Sequence, residues 1–238
     1  MPKRKAVAIL TVALAIVLGS GVALADQLVL GGNYNSGISI TGGYLGTGTA
    51  SEGGGPIGPS SLNGMSLPWV YCVDIPDTVS VPGNYGSATV TNNGTIAGSS
   101  GNNSAGGLGN TYTSNGALAT VTNAQQVAWL LYNFAAGATT SAEQVGLQAA
   151  IWNQIYGVSL TSANSYYTSD LAAVNNACPN GFCTNNYVGD FDWLSPNGAN
   201  NPSVLQGLVT QVPDGGMTIM LLGGVLVGLG SLRLKFRA

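Results

Sequence analysis

Three cysteines and one glutamine hold the side-chain chemistry that stands out in this chain of 238 residues. Cys178 and Cys183 bracket Pro-Asn-Gly-Phe. Pro-Asn-Gly is turn chemistry, so the two sulfurs can meet and close a small disulfide loop. A Cys-x-x-x-x-Cys metal half-site is the weaker alternative, since the sequence holds no second half. Cys72 is left over. An odd cysteine is a buried small hydrophobe, half of an intermolecular disulfide, or a chemically modified thiol. Gln148 is the other exception. It follows Val145 by three residues and precedes Ile151, Trp152 and Ile155 by three, four and seven, the spacings of one helical face. An amide on an inward stripe needs hydrogen-bond partners, as a satisfied core Gln has, unless its side chain has been consumed chemically.

The residues that are missing exclude much. There is no His, and the six Lys and Arg are Lys3, Arg4, Lys5, Arg233, Lys235 and Arg237. None lies between Asp26 and Leu232, while all nine acidic residues do, so that stretch carries a formal charge near −9. A cation-free acidic surface argues against nucleic-acid binding, which uses Lys and Arg to neutralise phosphates. Without His, neither a Ser-His-Asp nor a Cys-His arrangement is available, and His-based zinc sites are excluded. A two-carboxylate hydrolase would need an acid pair in a cleft. Asp190 and Asp192 are the close pair considered, and a solvent-facing strand or a weak Ca²⁺ contact explains them more simply. We expect no enzymatic activity, no catalytic set, no metal site and no cofactor.

Several elements must position Cys72 and Gln148. Residues 67–75, LPWVYCVDI, read as a buried strand of aromatic and β-branched residues. Thr122-Asn123-Ala124-Gln125 fits a capping box, and Val127, Leu130, Leu131 and Phe134 form the stripe of a helix ending at Gly137. Ser141-Ala142-Glu143-Gln144 fits a second capping box, opening the Gln148 helix that Gly157 ends. A third, weaker helix is expected over 163–176. Further strands are expected at 27–30, 38–40, from 88 onward and over 187–193. Residues 50–63 and 94–113, rich in Gly, Asn, Ser and Pro, read as loops.

Here the residues carry a resemblance. Tyr71-Cys72-Val73 is similar to the aromatic-Cys-hydrophobic motif of bacterial thioester domains. Leu147-Gln148-Ala149-Ala150-Ile151-Trp152 is similar to their hydrophobic-Gln-x-x-hydrophobic-hydrophobic motif, and the helix with Ala128-Trp129-Leu130-Leu131-Tyr132-Asn133 resembles the one that precedes it. The motifs stand in the family's order. The resemblance implies a bond between the Cys72 sulfur and the Gln148 side-chain carbonyl, an activated acyl group that an amine on a partner surface can capture. The absence of Lys from the domain leaves it unable to quench such a bond itself. It also departs from the adhesins of that family, whose thioester domains often accompany Lys–Asn isopeptide bonds.

The ends read as processing signals. Residues 1–25 combine a basic start, a short apolar run and Ala23-Leu24-Ala25, a secretory signal peptide with the mature chain starting at Asp26. At the other end Val212-Pro213-Asp214-Gly215-Gly216 precedes about 16 apolar residues, slightly under the usual ~20 for a bilayer, and then Arg233, Lys235 and Arg237. This order resembles a PEP-CTERM-type sorting signal of the VPD subclass. The resemblance implies an exosortase-type processing enzyme, a membrane helix that acts as a transient anchor, and delivery to the cell surface or extracellular matrix of a Gram-negative-type envelope.

The expected fold is α+β, a β-rich body with two or three packed helices. The expected organisation is a signal peptide over 1–25, a thioester-domain-like extracellular domain over 26–195, a linker over 196–211 and the sorting signal over 212–238. The expected function is covalent attachment to surface or matrix amines through Cys72 and Gln148. The alternative is a non-covalent structural or biofilm-matrix surface protein in which both are ordinary core residues.

Overall fold

Short runs that alternate apolar with small polar residues make most of this structure β. The computed structural model describes residues 26–97, 117–198 and 205–211. In chain order the strands are β1 (Asp26–Leu30), β2 (Asn33–Gly42), β3 (Thr49–Gly58), β4 (Ser60–Leu62), β5 (Met65–Leu67), β6 (Tyr71–Cys72), β7 (Gly83–Thr91), β8 (Thr95–Ala97) and β9 (Leu118–Thr120). Helices α1 (Ala124–Leu130) and α2 (Ser141–Tyr156) follow, then β10 (Val158–Leu160), α3 (Ser165–Ala177), β11 (Phe191–Ser195) and β12 (Leu208–Gln211). The mixed, β-rich α+β architecture is as expected.

Seven strands form one sheet in the order β5-β4-β1-β7-β11-β12-β6, and β10-β2-β3 form a second. Every pair in them is antiparallel. The hairpin β8-β9 stands apart. Trp152, Trp193, Tyr71, Tyr156 and Phe191 are the largest wholly buried side chains. They join the helices to the sheets in one continuous apolar core, the dominant source of stability in such a domain.

Helix α2 is the central strut. Thr140 is its N-cap: its hydroxyl accepts from Glu143 N–H, and the Glu143 carboxylate accepts from Thr140 N–H, a reciprocal capping box. The box sits one residue before the expected one at Ser141. The helix stops at Gly157, whose φ of 69° is the left-handed conformation glycine adopts without a Cβ penalty. The inward stripe proves too narrow an expectation. Residues 146–152 and 154–156 are all buried, because α2 lies between the other helices and strands β2 and β3. Gly146 permits the approach to α3: a Cβ there would lie 2.8 Å from the Tyr166 Cβ and the Tyr167 nitrogen. Helix α1 departs from its expected cap as well. Asn123 precedes it in the left-handed region, and the helix runs on as a π-turn over Leu131–Ala135.

Four expectations are corrected. The stretch 50–63 is not a loop; it holds β3, paired along β2, and β4. Its glycines are used for close approach, which composition alone reads as turn. Within 67–75 the chain is buried from Trp69 to Ile75, yet only Tyr71–Cys72 pairs in the sheet, as its last strand beside β12, with Leu67 closing β5. The strand expected over 187–193 begins later, after a turn of 3₁₀ helix at Val188–Asp190. Last, the stretch 196–211 is not all linker. Its end is β12, held between β11 and β6 with Leu208 opposite Cys72 and Val209 opposite Tyr71. Its Leu208, Val209 and Thr210 are wholly buried, which a tether in water would not be.

Among the described residues no helix is long and apolar enough to cross a membrane. The stretches expected to be a signal peptide and a sorting signal, the latter with Val212, Pro213, Asp214, Gly215 and Gly216, lie outside the described residues, as does most of the loop expected over 94–113.

Candidate functional site

Strand β6 brings Cys72 to the centre of the molecule, and α2 brings Gln148 to meet it. Both are buried, Gln148 completely. The Gln148 carboxamide is clamped by the main chain of Cys72 at both ends. Its Oε1 accepts from Cys72 N–H at 3.1 Å, and its Nε2 donates to the Cys72 carbonyl at 2.7 Å. A second main-chain donor, Gly55 N–H on β3, reaches the same Oε1 at 2.8 Å. Two amide dipoles therefore converge on one carbonyl oxygen in a buried site. That arrangement draws electrons from the carbonyl carbon and stabilises negative charge developing on the oxygen.

Glycines make the approach possible. A Cβ on Gly54 would lie 2.6 Å from Gln148 Cγ and 3.0 Å from its Cδ, and one on Gly55 would lie 2.6 Å from the Tyr71 ring. Asn35 on β2 ties this segment to the helix. Its Nδ2 donates to the Gly55 carbonyl and to Gln144 Oε1, and its Oδ1 accepts from Ser141 Oγ. One side chain thus links β2, β3 and the first turns of α2 around Gly55.

The thiol has a partner of its own. Cys72 Sγ donates to Gln206 Oε1 at 3.4 Å, a long contact of the kind sulfur makes. Gln206, just before β12, donates from Nε2 to the Asp74 carbonyl. Burial pushes the Cys72 thiol well above its usual pKa, with smaller contributions from Asp74 and Glu52. Left alone, this thiol stays protonated and is a weak nucleophile.

A cavity of about 180 Å³ opens beside it. Cys72, Gly54, Gln206, Asp77, Glu52 and Tyr34 are among its walls. Burial raises the Glu52 carboxyl above the ordinary carboxylate range. Asp74, wholly buried, lies behind the cavity wall. Burial, then the neighbouring charge of Asp77 and a hydrogen bond with its side chain, hold the Asp74 carboxyl far above that range, against opposing hydrogen bonds from Tyr156 and the Gly207 amide. The Tyr156 hydroxyl donates to Asp74 Oδ1 at 3.0 Å.

The expected pair, Cys72 and Gln148, is thus brought together. Cys178 and Cys183 are brought together elsewhere, in a disulfide of 2.03 Å at the end of α3. The sequence reading missed Gly54, Gly55, Gln206 and the Asp74–Asp77 pair. Asp-Ile-Pro-Asp was a visible signal for the last, two acids three residues apart right after the odd cysteine. Asp190 and Asp192 flank the turn into β11, and no described group of three or more Cys, Asp or Glu side chains is disposed to hold a metal. Comparison with protein-family models, curated proteins and solved structures finds no match for this chain, so the geometry of the site is what supports a functional reading.

Proposed function

We propose that this chain is an exported surface protein that forms an internal thioester between Cys72 Sγ and Gln148 Cδ and uses it to bond covalently to amines. The observation that carries this reading is the pair of main-chain donors, Gly55 N–H and Cys72 N–H, on Gln148 Oε1. A carboxamide is inert because its nitrogen lone pair feeds the carbonyl. Two donors on the oxygen oppose that inertness as attack begins.

The chemistry balances without a cofactor. Sγ adds to Cδ, and the tetrahedral oxyanion sits where the two N–H groups already point. The Cδ–N bond then breaks, and ammonia leaves carrying a proton equivalent to the one the thiol lost. The thioester is a stronger acylating group than the amide it replaces. A primary amine on a partner then adds to Cδ, the Cδ–S bond breaks, an amide forms, and the Cys72 thiol is restored. Burial slows hydrolysis meanwhile. Gly54 lines the cavity and packs against Gln148, so the cavity comes within one glycine of the carboxamide. The end signals complete the proposal: export by the leader, processing of the VPDGG tail by an exosortase-type enzyme after transient membrane anchoring, and a surface or matrix amine as target.

One observation favours the alternative of a non-covalent surface protein. The same three hydrogen bonds give both polar atoms of the Gln148 carboxamide a partner, as an ordinary core residue has. Intact mass separates the two. The thioester protein lacks one ammonia, and Cys72→Ala and Gln148→Ala each abolish the deficit. A chain of full mass with an alkylatable Cys72 overturns the proposal.

A further inference from the structure

A thioester site has to move protons, and neither Cys72 nor Gln148 can do so alone. The thiol is held protonated, and the leaving nitrogen, or the leaving sulfur in the second step, needs a proton at its departure. Gln206 accepts from the thiol but has no basicity to keep the proton.

The structure points to the carboxyl pair next door. Asp74 follows Cys72 by two residues and is wholly buried. Asp77 is half-buried and lines the same cavity as Cys72 and Gln206. The two carboxyl groups are hydrogen-bonded to each other. Two carboxylates offer only acceptors, so that contact requires a proton between them. No other neutralisation is available to them, because no Lys, Arg or His occurs from Asp26 to Leu232. The titratable groups around the pair are acids or weak acids: Glu52 on β3, Tyr156 on α2, Cys72 on β6, and Tyr44. Tyr44 is itself pushed up to about 12 by burial, then by Glu52 and Asp74. Gln206 stands between the reacting sulfur and the Asp74 segment, touching the thiol with one end of its amide and the Asp74 main chain with the other, and it lines the cavity with Asp77.

We propose that Asp74 and Asp77, sharing one proton, are the acid and base of the Cys72–Gln148 site, exchanging protons with it across the cavity that Asp77 lines. This role rests on the thioester reading. During thioester formation the ionised carboxylate takes the proton from Sγ as the Sγ–Cδ bond forms. The carboxyl gives its proton to the departing nitrogen, which leaves as ammonia. In aminolysis the pair takes one proton from the attacking nitrogen and gives one to Sγ as the Cδ–S bond breaks. Its proton count is the same before and after each reaction. It can act in both directions only while singly protonated. With rising pH the shared proton is lost, and acid assistance goes with it.

Methylamine is the probe. The full chain is treated with it across neutral and alkaline pH, and conversion of the thioester is followed by intact mass. Rates are expressed per free amine, so that ionisation of the probe drops out. The wild-type rate is expected to hold level and then fall by about tenfold per pH unit once the pair loses its proton. Asp77→Asn, on the partly exposed member, leaves the core closed. It is expected to react about a hundredfold more slowly on the level part and to lose that alkaline break, while Asp77→Glu restores it. An Asp77→Asn chain that keeps the wild-type rate and break overturns the role while leaving the thioester intact. A wild-type chain with no mass deficit overturns the thioester reading, and this role with it.

Discussion

The sulfurs of this protein occupy two different kinds of site. Cys178 and Cys183 are five residues apart, and their Cα atoms lie 3.9 Å from each other at the exit of α3. A local turn is enough to join them. Cys72 has its partners far along the chain: Gln148 is 76 residues away, Gln206 is 134, and Gly55 reaches the same carboxamide from across 93. The disulfide depends on a few backbone angles, whereas the Cys72 site depends on three strands and a helix arriving together. A short loop closes at small entropic cost, but a long-range site exists only in the folded state.

The variant with the largest expected effect attacks the long-range site. Gly54→Ala would set a methyl 2.6 Å from Gln148 Cγ. It is expected to remove the ammonia deficit and to destabilise the fold by about 2–3 kcal/mol, read by denaturant unfolding. A retained deficit would show that the carboxamide is less tightly cradled than the disulfide contrast implies. Replacing both Cys178 and Cys183 by Ser comes next. A loop this short stabilises by roughly 2 kcal/mol through the unfolded chain, so the melting temperature should drop while the ammonia deficit stays. Loss of the deficit as well would mean that the two sulfur sites are not independent.

Thr140→Ala tests the strut between them. It removes the hydroxyl half of the capping box and should cost about 1 kcal/mol of unfolding free energy, with the Cys72–Gln148 chemistry unchanged in rate. The smallest effect concerns Asp170 on α3. Burial pushes its carboxyl up to about 6, against the lowering contribution of a Ser169 hydrogen bond. The folded state therefore holds this proton more tightly than the unfolded state. The stability this provides is full below the ordinary Asp range and is lost as pH rises through about 6. Asp170→Asn should be near neutral at low pH and stabilise by up to about 1 kcal/mol above neutrality once solvent screening is allowed for. Equal shifts in melting temperature at both pH values would break that linkage.

Much of the molecule was legible in its sequence wherever the physics is local. Helix α2 announced itself by its cap, its periodicity and Gly157, with the cap misplaced by a single residue because Thr140 and Ser141 both suit the position. The inward direction of Gln148 followed from helical spacing alone. The turn between Cys178 and Cys183 followed from Pro-Asn-Gly. What failed was whatever depended on a distant partner. Gly53, Gly54 and Gly55 read as loop, yet they run in β3 because β2 supplies their ladder and because Tyr71 and Gln148 leave no room for a Cβ. Residues 205–211 read as tether, yet β12 fills the place between β11 and β6. Edge and centre are properties of a sheet, and one strand's sequence does not carry them.

The chemical inventory could be read from the residues alone: one odd thiol, one inward amide, no cation from Asp26 to Leu232, and one cysteine pair close enough to bond. Those follow from residue type, count and short-range spacing. It took the packed fold to aim Gly55 N–H and Cys72 N–H at one carbonyl oxygen, to bring Gln206 to the thiol, and to set Asp77 against Asp74 beside the cavity. Each of these depends on the direction of a group held by another element, and such directions are set when the elements pack.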